Sequence, residues 1–545
     1  MKTVISAVLF VIISTINAQV SQEWVASYNG PGNNGDMANA IAVDGSGNVY
    51  VTGTSVGSGT FYDYCTIKYN SSGAMLWVSR YNGPGNGDDT PSSIAVDLLG
   101  NVYVTGMSIG NGTYLDYATI KYNSSGVEQW VRRYNGPAGN NSDRASSIAV
   151  DGSGNVYVTG FSAGLGTMAD YATIKYNTSG VEQWVVRYNG PGFDIDGASS
   201  IAVDAFGNVY VTGSSANGTF NSTLDYATIK YSSAGNMTWV ARYNGPGNNA
   251  DEAFLITIDS AQNVYVTGSS VGNGTFQDYA TIKYNSFGAE QWVARYNGPG
   301  NNLDEANSII VDNSGNVYVT GFSDGSGTSG DYATVKYNPL GVEQWVQRYN
   351  GLGNSTDWAR SIALDGSNNV YVTGRSLNAP INSDYATIKY NSAGVQQWVQ
   401  RYHGGWGHDY ASSLAVDASG NIYVTGESAA AIGPGSDYAT IKYSQTATSV
   451  GQISSETLEN YSLSQNYPNP FNPTTKIQFA IPVSGFVSLS VFDVLGKEVD
   501  VLVNENKAAG NYEVDFDASK LTGGIYFYKL QTGNFTTTKK MVLMK

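Results

Sequence analysis

The feature that most constrains this chain is an internal repeat. A segment of the form Val-Tyr-Val-Thr-Gly returns eight times, with isoleucine in place of the first valine in the last copy. Its tyrosines are 52 to 55 residues apart and are Tyr50, Tyr103, Tyr157, Tyr210, Tyr265, Tyr318, Tyr371 and Tyr423. Two further markers, Asp-Tyr-Ala-Thr-Ile-Lys-Tyr and Trp-Val-x-Arg-Tyr, recur in the same phase. A fixed period of this length predicts a fold assembled from eight copies of one unit.

Each copy contains four short runs rich in β-branched and aromatic residues, which predict four strands. In the third copy these runs are Ser147 to Val150, Val156 to Gly160, Tyr171 to Tyr176 and Trp184 to Tyr188. Asn- and Gly-rich segments at Asp151 to Asn155 and Asn177 to Gly180 favour tight hairpins, because both residues accept positive φ angles. Four antiparallel strands in about 50 residues are typical of one β-propeller blade.

The phase of the repeat indicates how the fold closes. The chain opens with an isolated strand at Trp24 to Tyr28, and the last copy ends after Tyr443 without its fourth strand. We therefore expect an all-β chain with an eight-bladed β-propeller closed by the N-terminal strand. The alternative is a linear solenoid, which would need end caps that the sequence does not show.

The repeat Val-Asp-x-x-Gly-Asn-Val-Tyr-Val-Thr-Gly, followed by Asp-Tyr-Ala-Thr-Ile-Lys-Tyr, resembles the bacterial β-propeller repeat family called SBBP. The resemblance covers about residues 24–443 and implies the propeller fold. The family includes many exported proteins of unassigned role, so the function has to be argued from the site itself.

The first 18 residues are typical of a secretory signal peptide. Lys2 precedes an apolar stretch from Val4 to Ile13, and small or polar residues lead to a cleavage point after Ala18. The apolar stretch is too short to span a bilayer, and no later segment is long and apolar enough to do so. The propeller is thus expected over residues 19–443.

Composition changes after Tyr443. Residues 444–460 are mostly polar and contain no aromatic residue, which predicts a linker, and residues 461–545 predict a small C-terminal β-sandwich. Its strands are expected at about residues 476–481, 487–492, 512–516, 525–530 and 540–543.

The C-terminal segment resembles the sorting domain of type IX secretion cargo of Bacteroidota. The residues that carry the resemblance are Asn466, Tyr467, Pro468, Asn469, Pro470, Phe471, Asn472, Pro473, Gly523, Gly524, Lys539 and Lys540. The resemblance implies that the type IX secretion machinery is a partner. It also implies secretion across the outer membrane to an extracellular or surface-attached location.

Charge and composition exclude several functions. The 28 basic and 44 acidic side chains give a net charge of −16, which excludes nucleic acid as a partner because such binding needs a basic face. One cysteine excludes thiolate zinc sites, and only two histidines, His403 and His408, are available for catalysis. Because no catalytic motif is present, we expect a non-catalytic binding or adhesion module. The alternatives are a carbohydrate-active enzyme that uses rim carboxylates and an architectural surface-layer component.

Aspartate recurs in three series, one in the first hairpin of each copy, one at the start of the third strand and one in the loop between copies. Short aspartates commonly accept backbone hydrogen bonds in turns, which gives a structural interpretation. A functional interpretation is calcium, the one cofactor the sequence suggests, at loop residues such as Asp251 and Asp304. Two of the series are expected on one rim, which would be negative and would favour cations or neutral glycans.

A ring of near-identical blades is expected to bind where it departs from its own pattern. Two adjacent segments do so and contain the two tryptophans outside the repeat together with both histidines. Exposed tryptophan can stack on a sugar ring, and histidine and aspartate can hydrogen bond or ligate a metal. The predicted site for a glycan or surface-protein ligand therefore comprises Trp358, His403, Trp406, His408 and Asp409.

Overall fold

A computed structural model describes residues 17–192, 194–218, 223–379, 382–405, 407–429, 435–448, 450–454, 460–519, 521–533 and 535–544. Most of the predicted signal peptide, residues 1–16, lies outside the described residues. The described residues contain no helix, and hence no helix that could cross a membrane. The chain divides into one unit, Gln22–Tyr443, and a second that combines Met1–Ser21 with Ser444–Lys545.

The described residues of the first unit form eight four-stranded sheets, numbered 1 to 8 along the chain. The chain begins with β1 (Asn17–Tyr28). Sheet 1 contains β2 (Asp36–Val43), β3 (Val49–Val56), β4 (Tyr62–Tyr69) and β5 (Met75–Tyr81). Sheet 2 contains β6 (Asp89–Val96), β7 (Val102–Ile109), β8 (Leu115–Tyr122) and β9 (Glu128–Tyr134). Sheet 3 contains β10 (Asp143–Val150), β11 (Val156–Ser162), β12 (Asp170–Tyr176) and β13 (Glu182–Tyr188). Sheet 4 contains β14 (Asp196–Val203), β15 (Val209–Ala216), β16 (Leu224–Tyr231) and β17 (Met237–Tyr243).

The second half of the unit repeats the pattern. Sheet 5 contains β18 (Asp251–Ile258), β19 (Val264–Val271), β20 (Gln277–Tyr284) and β21 (Glu290–Tyr296). Sheet 6 contains β22 (Asp304–Val311), β23 (Val317–Asp324), β24 (Gly330–Tyr337) and β25 (Glu343–Tyr349). Sheet 7 contains β26 (Asp357–Leu364), β27 (Val370–Ala379), β28 (Asn382–Tyr390) and β29 (Gln396–Tyr402). Sheet 8 contains β30 (Tyr410–Val416), β31 (Ile422–Ala429) and β32 (Ser436–Thr448), and its fourth strand is β1.

The prediction of an all-β chain with four strands in each repeat is confirmed. The observed strands run somewhat beyond the predicted runs, because backbone pairing continues past the residues whose side chains carry the pattern. In sheet 3, for example, β10 starts at Asp143 rather than Ser147, and a β-bulge lies between Ala145 and Ser147.

The core lies between consecutive sheets. Tyr103 and Tyr117 of sheet 2 pack against Val156, Val158 and Ile174 of sheet 3, and all five are buried. Both faces of the second strands are buried, which explains why their sequence, Val-Tyr-Val-Thr-Gly, does not alternate between apolar and polar residues. Apolar packing of this kind is the main driving force for stacking the sheets.

Polar contacts repeat between the same sheets. The Tyr117 hydroxyl donates to the Ala172 carbonyl oxygen at 3.2 Å, and Trp130 Nε1 donates to the Thr178 carbonyl oxygen at 3.2 Å. The ring of Trp130 covers Gly180, whose φ of 76° suits glycine and where a Cβ atom would lie 2.7 Å from the indole. In sheets 1 to 7, the hairpin between the third and fourth strands therefore packs against a tryptophan of the preceding sheet.

The repeat arginine bonds within its own sheet and to the preceding one. Arg133 pairs with Asp116 at 2.7 Å and donates to the hydroxyl of Tyr81 in sheet 1 at 3.0 Å. The repeat lysine has a different partner. Lys121 Nζ instead donates to the Thr178 carbonyl oxygen at 3.1 Å and lies 5.1 Å from the ring centre of Tyr103. The hairpin of the next sheet offers a nearer acceptor than any acidic side chain.

Sheet 8 contacts sheet 1 in the way that the other sheets contact their successors. The Tyr438 hydroxyl donates to the Cys65 carbonyl oxygen at 3.2 Å, and Trp24 Nε1 donates to the Ser71 carbonyl oxygen at 3.1 Å. The ring of Trp24 covers Gly73 as Trp130 covers Gly180.

The second unit contains two four-stranded sheets in its described residues. One has the order β33 (Val450–Ser454), β38 (Gly510–Asp517), β35 (Thr474–Ile481) and β34 (Ser462–Leu463). The other has the order β37 (Glu498–Lys507), β36 (Gly485–Phe492), β39 (Gly524–Thr532) and β40 (Phe535–Leu543). One buried cluster joins Phe479 and Val514 of the first sheet to Leu489, Tyr528 and Leu530 of the second, so the unit is a β-sandwich.

Part of the segment predicted as a linker is strand. β32 continues to Thr448, and β33 pairs with β38 at the edge of the C-terminal sandwich. A polar segment gives no side-chain pattern for a strand, yet its backbone can still pair with an open sheet edge. The strands β34 and β37 were also not expected. β37 carries alternating valines at Val499, Val501 and Val503, a signal that was present in the sequence.

Candidate functional site

The hairpin aspartates hold their own turns. Asp44 accepts the backbone N–H groups of Ser46 and Asn48 at 2.9 Å each, and it also accepts the Tyr50 hydroxyl at 2.9 Å. Burial works against ionisation of this carboxyl, but the hydrogen bonds outweigh it and lower the pKa of Asp44. These contacts support the structural interpretation, in which the hairpin aspartates stabilise their own turns.

The loop aspartates proposed for calcium are buried and belong to different sheets. Asp251 accepts the Gly245 N–H at 2.6 Å, and Asp304 accepts the Gly298 N–H at 2.7 Å. Burial raises the pKa of Asp304 to about 6 and that of Asp251 above its ordinary value. Calcium prefers six to eight ionised or carbonyl oxygens, so isolated carboxyls with raised pKa values are poor ligands.

The negative rim expected from the sequence is mostly not exposed. The loop aspartates are fully buried, and the third-strand aspartates of sheets 1 to 7 are buried beside arginine. These two series supply many of the acidic side chains of the protein, but their burial keeps them from contact with a ligand.

Trp358 lies on a strand rather than in an exposed loop. It is the second residue of β26 and is half-buried between the ring of Phe322, at 4.8 Å between centroids, and two guanidinium groups. Arg360 lies 4.8 Å and Arg375 5.2 Å from the indole centre. The expectation that this indole is open for stacking is therefore wrong, because three neighbours already cover it.

A cavity of about 360 Å³ lies beside this cluster, where the first strands of sheets 7, 8 and 1 meet. We call it the inner cavity. It is lined by Met37, Ala38, Asn39, Arg360, Arg375, Tyr410, Ala411, Ser412 and Glu427.

Two cations of the inner cavity form no salt bridge in the described part of the chain. Neither Arg360 nor Arg375 has a carboxylate oxygen within 4.0 Å, although the charge of Glu305 acts on Arg360 from a distance. Arg375 Nε is buried without a hydrogen-bond partner. The Arg375 guanidinium lies between the rings of Trp358 and Tyr410, 5.3 Å from the latter. Burial and the neighbouring Arg375 charge lower the pKa of Arg360. The pair therefore packs on aromatic faces and lines the cavity without a carboxylate paired to it.

Carboxyl groups also lie in the inner cavity and on neighbouring strands. Burial raises the pKa of Glu427, and the nearby Asp409 adds to the rise. On the first strands of sheets 5 and 6, burial and the charge of Glu252 raise the pKa of Glu305. The first and second strands of sheets 5 to 8 therefore carry charged groups of both signs, at positions where the residue type varies between the copies.

The structure brings together two of the predicted site residues with one that was not predicted for the site. His403 Nδ1 lies 3.2 Å from Asp384 Oδ1 and 3.3 Å from Asp409 Oδ2. Both aspartates are buried, whereas the imidazole is half exposed. Among the described residues, these three form a group of metal-type donors whose ligand atoms all lie within 4.8 Å of one another.

The remaining predicted residues lie apart from that group. His408 Nδ1 lies 3.2 Å from the Ser383 hydroxyl, and its ring stacks on Tyr410 at 5.5 Å. Trp406 lies outside the described residues.

Arg360 and Arg375 were not predicted as site residues, because they lie on strands and the prediction rested on departures from the repeat in the loops. Other copies carry asparagine, serine or phenylalanine in place of Arg360, and Arg375 has no counterpart arginine in any other copy. A position-by-position comparison of the first two strands would have found both.

The residues of the sorting motif are integrated into the C-terminal sandwich. The Asn466 amide nitrogen donates to the Thr475 hydroxyl at 3.0 Å, and Asn469 Oδ1 accepts the Val542 N–H at 2.9 Å. Phe471 is buried in the core, whereas Tyr467 and Lys540 are exposed. The motif thus fixes the last strand and leaves part of its surface open.

Comparison with known families agrees with this division. Residues 465–544 match the secretion system C-terminal sorting domain. Residues 76–112, 129–164, 183–221, 291–327, 344–382 and 397–434 match the beta-propeller repeat. The chain is therefore a secreted repeat protein of the β-propeller class. More particularly, it carries SBBP repeats and a type IX sorting domain, which indicates export to the cell surface or the extracellular space.

A curated relative is an uncharacterized WD repeat-containing protein of Acanthamoeba polyphaga mimivirus, 23% identical over 447 residues. The match covers 66% of this chain and 31% of the relative, so this chain spans about a third of that protein. Solved structures that align include a fungal alcohol oxidase of the AA5 family in complex with copper, with 12% identity and a TM-score of 0.40 over 97% of this chain and 100% of that one. Drosophila Plexin A in complex with Semaphorin 1b aligns with 10% identity and a TM-score of 0.35 over 78% and 87%. Such low scores assign no function.

Stability is expected to rise as the pH falls from 7 to 5. Burial raises the pKa of Asp304 and of Asp357 to about 6, so between about pH 4 and 6 the folded protein binds more protons than the unfolded chain. The free energy of unfolding, measured with urea, should be larger at pH 5 than at pH 7. Asp304→Asn should reduce this gain, whereas Asp44→Asn should not, because the pKa of Asp44 is already low. An undiminished gain in the Asp304 variant would contradict the assignment.

Proposed function

We propose that the protein is a secreted, ring-closed eight-bladed propeller that binds an anionic surface ligand, such as an acidic glycan, in the inner cavity without converting it. The observation that carries the proposal is the pair Arg360 and Arg375, which packs on aromatic rings and forms no salt bridge in the described chain.

Ring closure is supported by contacts across the junction of sheets 8 and 1. β1 is the fourth strand of sheet 8, and Trp24 and Tyr438 donate to sheet 1 as their counterparts do elsewhere. Arg80 of sheet 1 also reaches the hydroxyl of Tyr28 in β1, at 3.4 Å. In a linear solenoid, sheets 1 and 8 would lie at opposite ends, so these hydrogen bonds between them could not form. Each end would also expose an apolar sheet face.

Closure predicts that Trp24 matters as much as a tryptophan inside the ring. Trp24→Ala should lower the free energy of unfolding by about 2–3 kcal/mol, because it removes packing on Gly73 and a hydrogen bond. Trp184→Ala, which removes the same contacts between sheets 3 and 4, is the matched control. A negligible effect of Trp24→Ala beside a large effect of the control would contradict closure.

Anion binding follows from the chemistry of the paired guanidinium groups. Arginine presents several N–H donors in one plane and matches the two oxygens of a carboxylate. Because Trp358 and Tyr410 hold the groups in place, little side-chain entropy would be lost when a ligand binds. The cavity size suits one or two sugar rings better than a folded partner.

The enzymatic alternative has one supporting observation. Glu252 and Glu305 stand at equivalent positions on neighbouring first strands, and burial together with the Glu252 charge raises the pKa of Glu305. Glycoside hydrolysis uses a carboxyl group of raised pKa as the acid together with a second carboxyl group. Turnover therefore has to be measured alongside binding.

Binding is expected to depend on the arginine pair. The full chain should be retained on immobilised polygalacturonate more strongly than on neutral dextran. Arg360→Gln combined with Arg375→Gln should weaken retention by at least about tenfold, since each charged hydrogen bond contributes about 1.5–3 kcal/mol. Reducing ends should not be released, and release that is lost in Glu305→Gln would support the enzyme instead.

The matched control is Arg144→Gln. Arg144 also lies on a first strand, with its guanidinium 5.6 Å from the ring centre of Phe161, but in sheet 3. Equal losses in this variant and in the double variant would show that retention reflects overall charge and would contradict the cavity assignment.

The sorting domain is expected to act in delivery alone. Deleting residues 444–545 removes the C-terminal part of the second unit, including β33, and shortens β32 of sheet 8 to its residues up to Tyr443. The truncated protein should unfold at the same temperature as the propeller transition of the full chain but stay in the periplasm. Normal surface delivery in cell fractionation would contradict the assigned partner.

A further inference from the structure

The junction between sheets 7 and 8 lacks a cation that the other junctions have. In sheets 1 to 7 the fourth strand carries an arginine that pairs with the buried third-strand aspartate at 2.7 to 3.2 Å. The same arginine reaches the tyrosine hydroxyl of the preceding sheet, as Arg401 reaches Tyr349 at 2.8 Å. The fourth strand of sheet 8 is β1, and it has Ser27 at this position.

The missing guanidinium leaves buried negative charge at this junction. Asp409 of sheet 8 is fully buried and accepts the Ser428 hydroxyl at 2.5 Å and the Gly404 N–H at 3.0 Å. Its counterparts have a charge partner, since Arg80 opposes the burial-driven rise in the pKa of Asp36. A buried carboxylate is costly unless a cation or several donors accompany it.

Asp384 of sheet 7 adds a second carboxylate to the junction. Its Oδ2 atom is bound by Arg401, and its Oδ1 atom, like that of most of its counterparts, is buried without a hydrogen-bond partner in the described chain. This oxygen faces the junction, where His403 Nδ1 lies 3.2 Å away.

His403 itself is a departure from the repeat. The other seven copies have asparagine here: Asn29, Asn82, Asn135, Asn189, Asn244, Asn297 and Asn350. A metal-ligating side chain thus occurs at the one junction where the repeat arginine is missing.

We propose that Asp384, His403 and Asp409 bind a divalent transition-metal cation of the zinc class, which replaces the missing arginine and stabilises the junction of sheets 7 and 8. One imidazole nitrogen and two carboxylate oxygens, with water in the remaining position, match the ligands zinc takes in proteins. The three donors are too few and too rich in nitrogen for calcium, which takes six to eight oxygens.

The test uses the full chain stripped of metal with a chelator. Isothermal titration with Zn²⁺ should give one site per chain, and Zn²⁺ should raise the propeller melting temperature where Ca²⁺ does not. His403→Asn restores the residue of the other copies, so it should fold normally. It should also weaken Zn²⁺ binding by at least about tenfold. Absence of a one-to-one site, or unchanged binding in this variant, would overturn the proposal.

Two further variants separate the metal site from a general effect of histidine. Ser27→Arg supplies the missing guanidinium, so it should raise the melting temperature of the metal-free protein and reduce the shift caused by Zn²⁺. Asn82→His places an imidazole at the junction of sheets 1 and 2, where Arg133 is present, and should create no comparable site. An undiminished Zn²⁺ shift in Ser27→Arg, or equally tight binding gained by Asn82→His, would overturn the idea that the metal replaces the arginine.

Discussion

The contact that the structure most depends on is the one made by the arginine of each fourth strand. Arg295 bonds Asp278 and both oxygens of Ser270 within its sheet, and it also donates to Tyr243 of the preceding sheet. The side chain therefore holds three strands in register and links two sheets. Since the aspartate is buried, loss of the arginine would leave a charge without compensation, which is far more costly than loss of a surface ion pair.

Sheet 8 is an imperfect copy of the other sheets, because its fourth strand comes from the start of the chain. That strand has Ser27 where the others have arginine, and no hairpin joins it to the third strand. Trp398 of sheet 7 shows the effect of the missing hairpin, since its indole nitrogen is buried without the carbonyl acceptor that Trp130 finds on Thr178. His403, which departs from the repeat, lies at this same junction.

The proposed ligand site also consists of residues that depart from the repeat. Repeated aspartates and tyrosines are mostly buried in the fold, so they offer little to a ligand. Arg360 and Arg375 break the pattern and line a cavity without a salt bridge. A ligand carrying a carboxylate would meet two guanidinium groups there, in a chain whose net charge is −16. The sorting domain places that surface outside the cell.

The sequence alone determined the all-β class and four strands per repeat, because runs of β-branched and aromatic residues and hairpin residues are local signals that eight copies reinforce. The sorting domain was recognisable from its own motifs. The sequence also singled out the segment that contains His403 and Asp409 as a departure from the repeat. Only the tertiary structure decided that Trp358 is covered by Phe322 and two arginines, and that Asp384 joins His403 from another strand. Such contacts link residues of neighbouring strands and sheets, and their distances follow from how the sheets pack. No spacing along the chain records that packing.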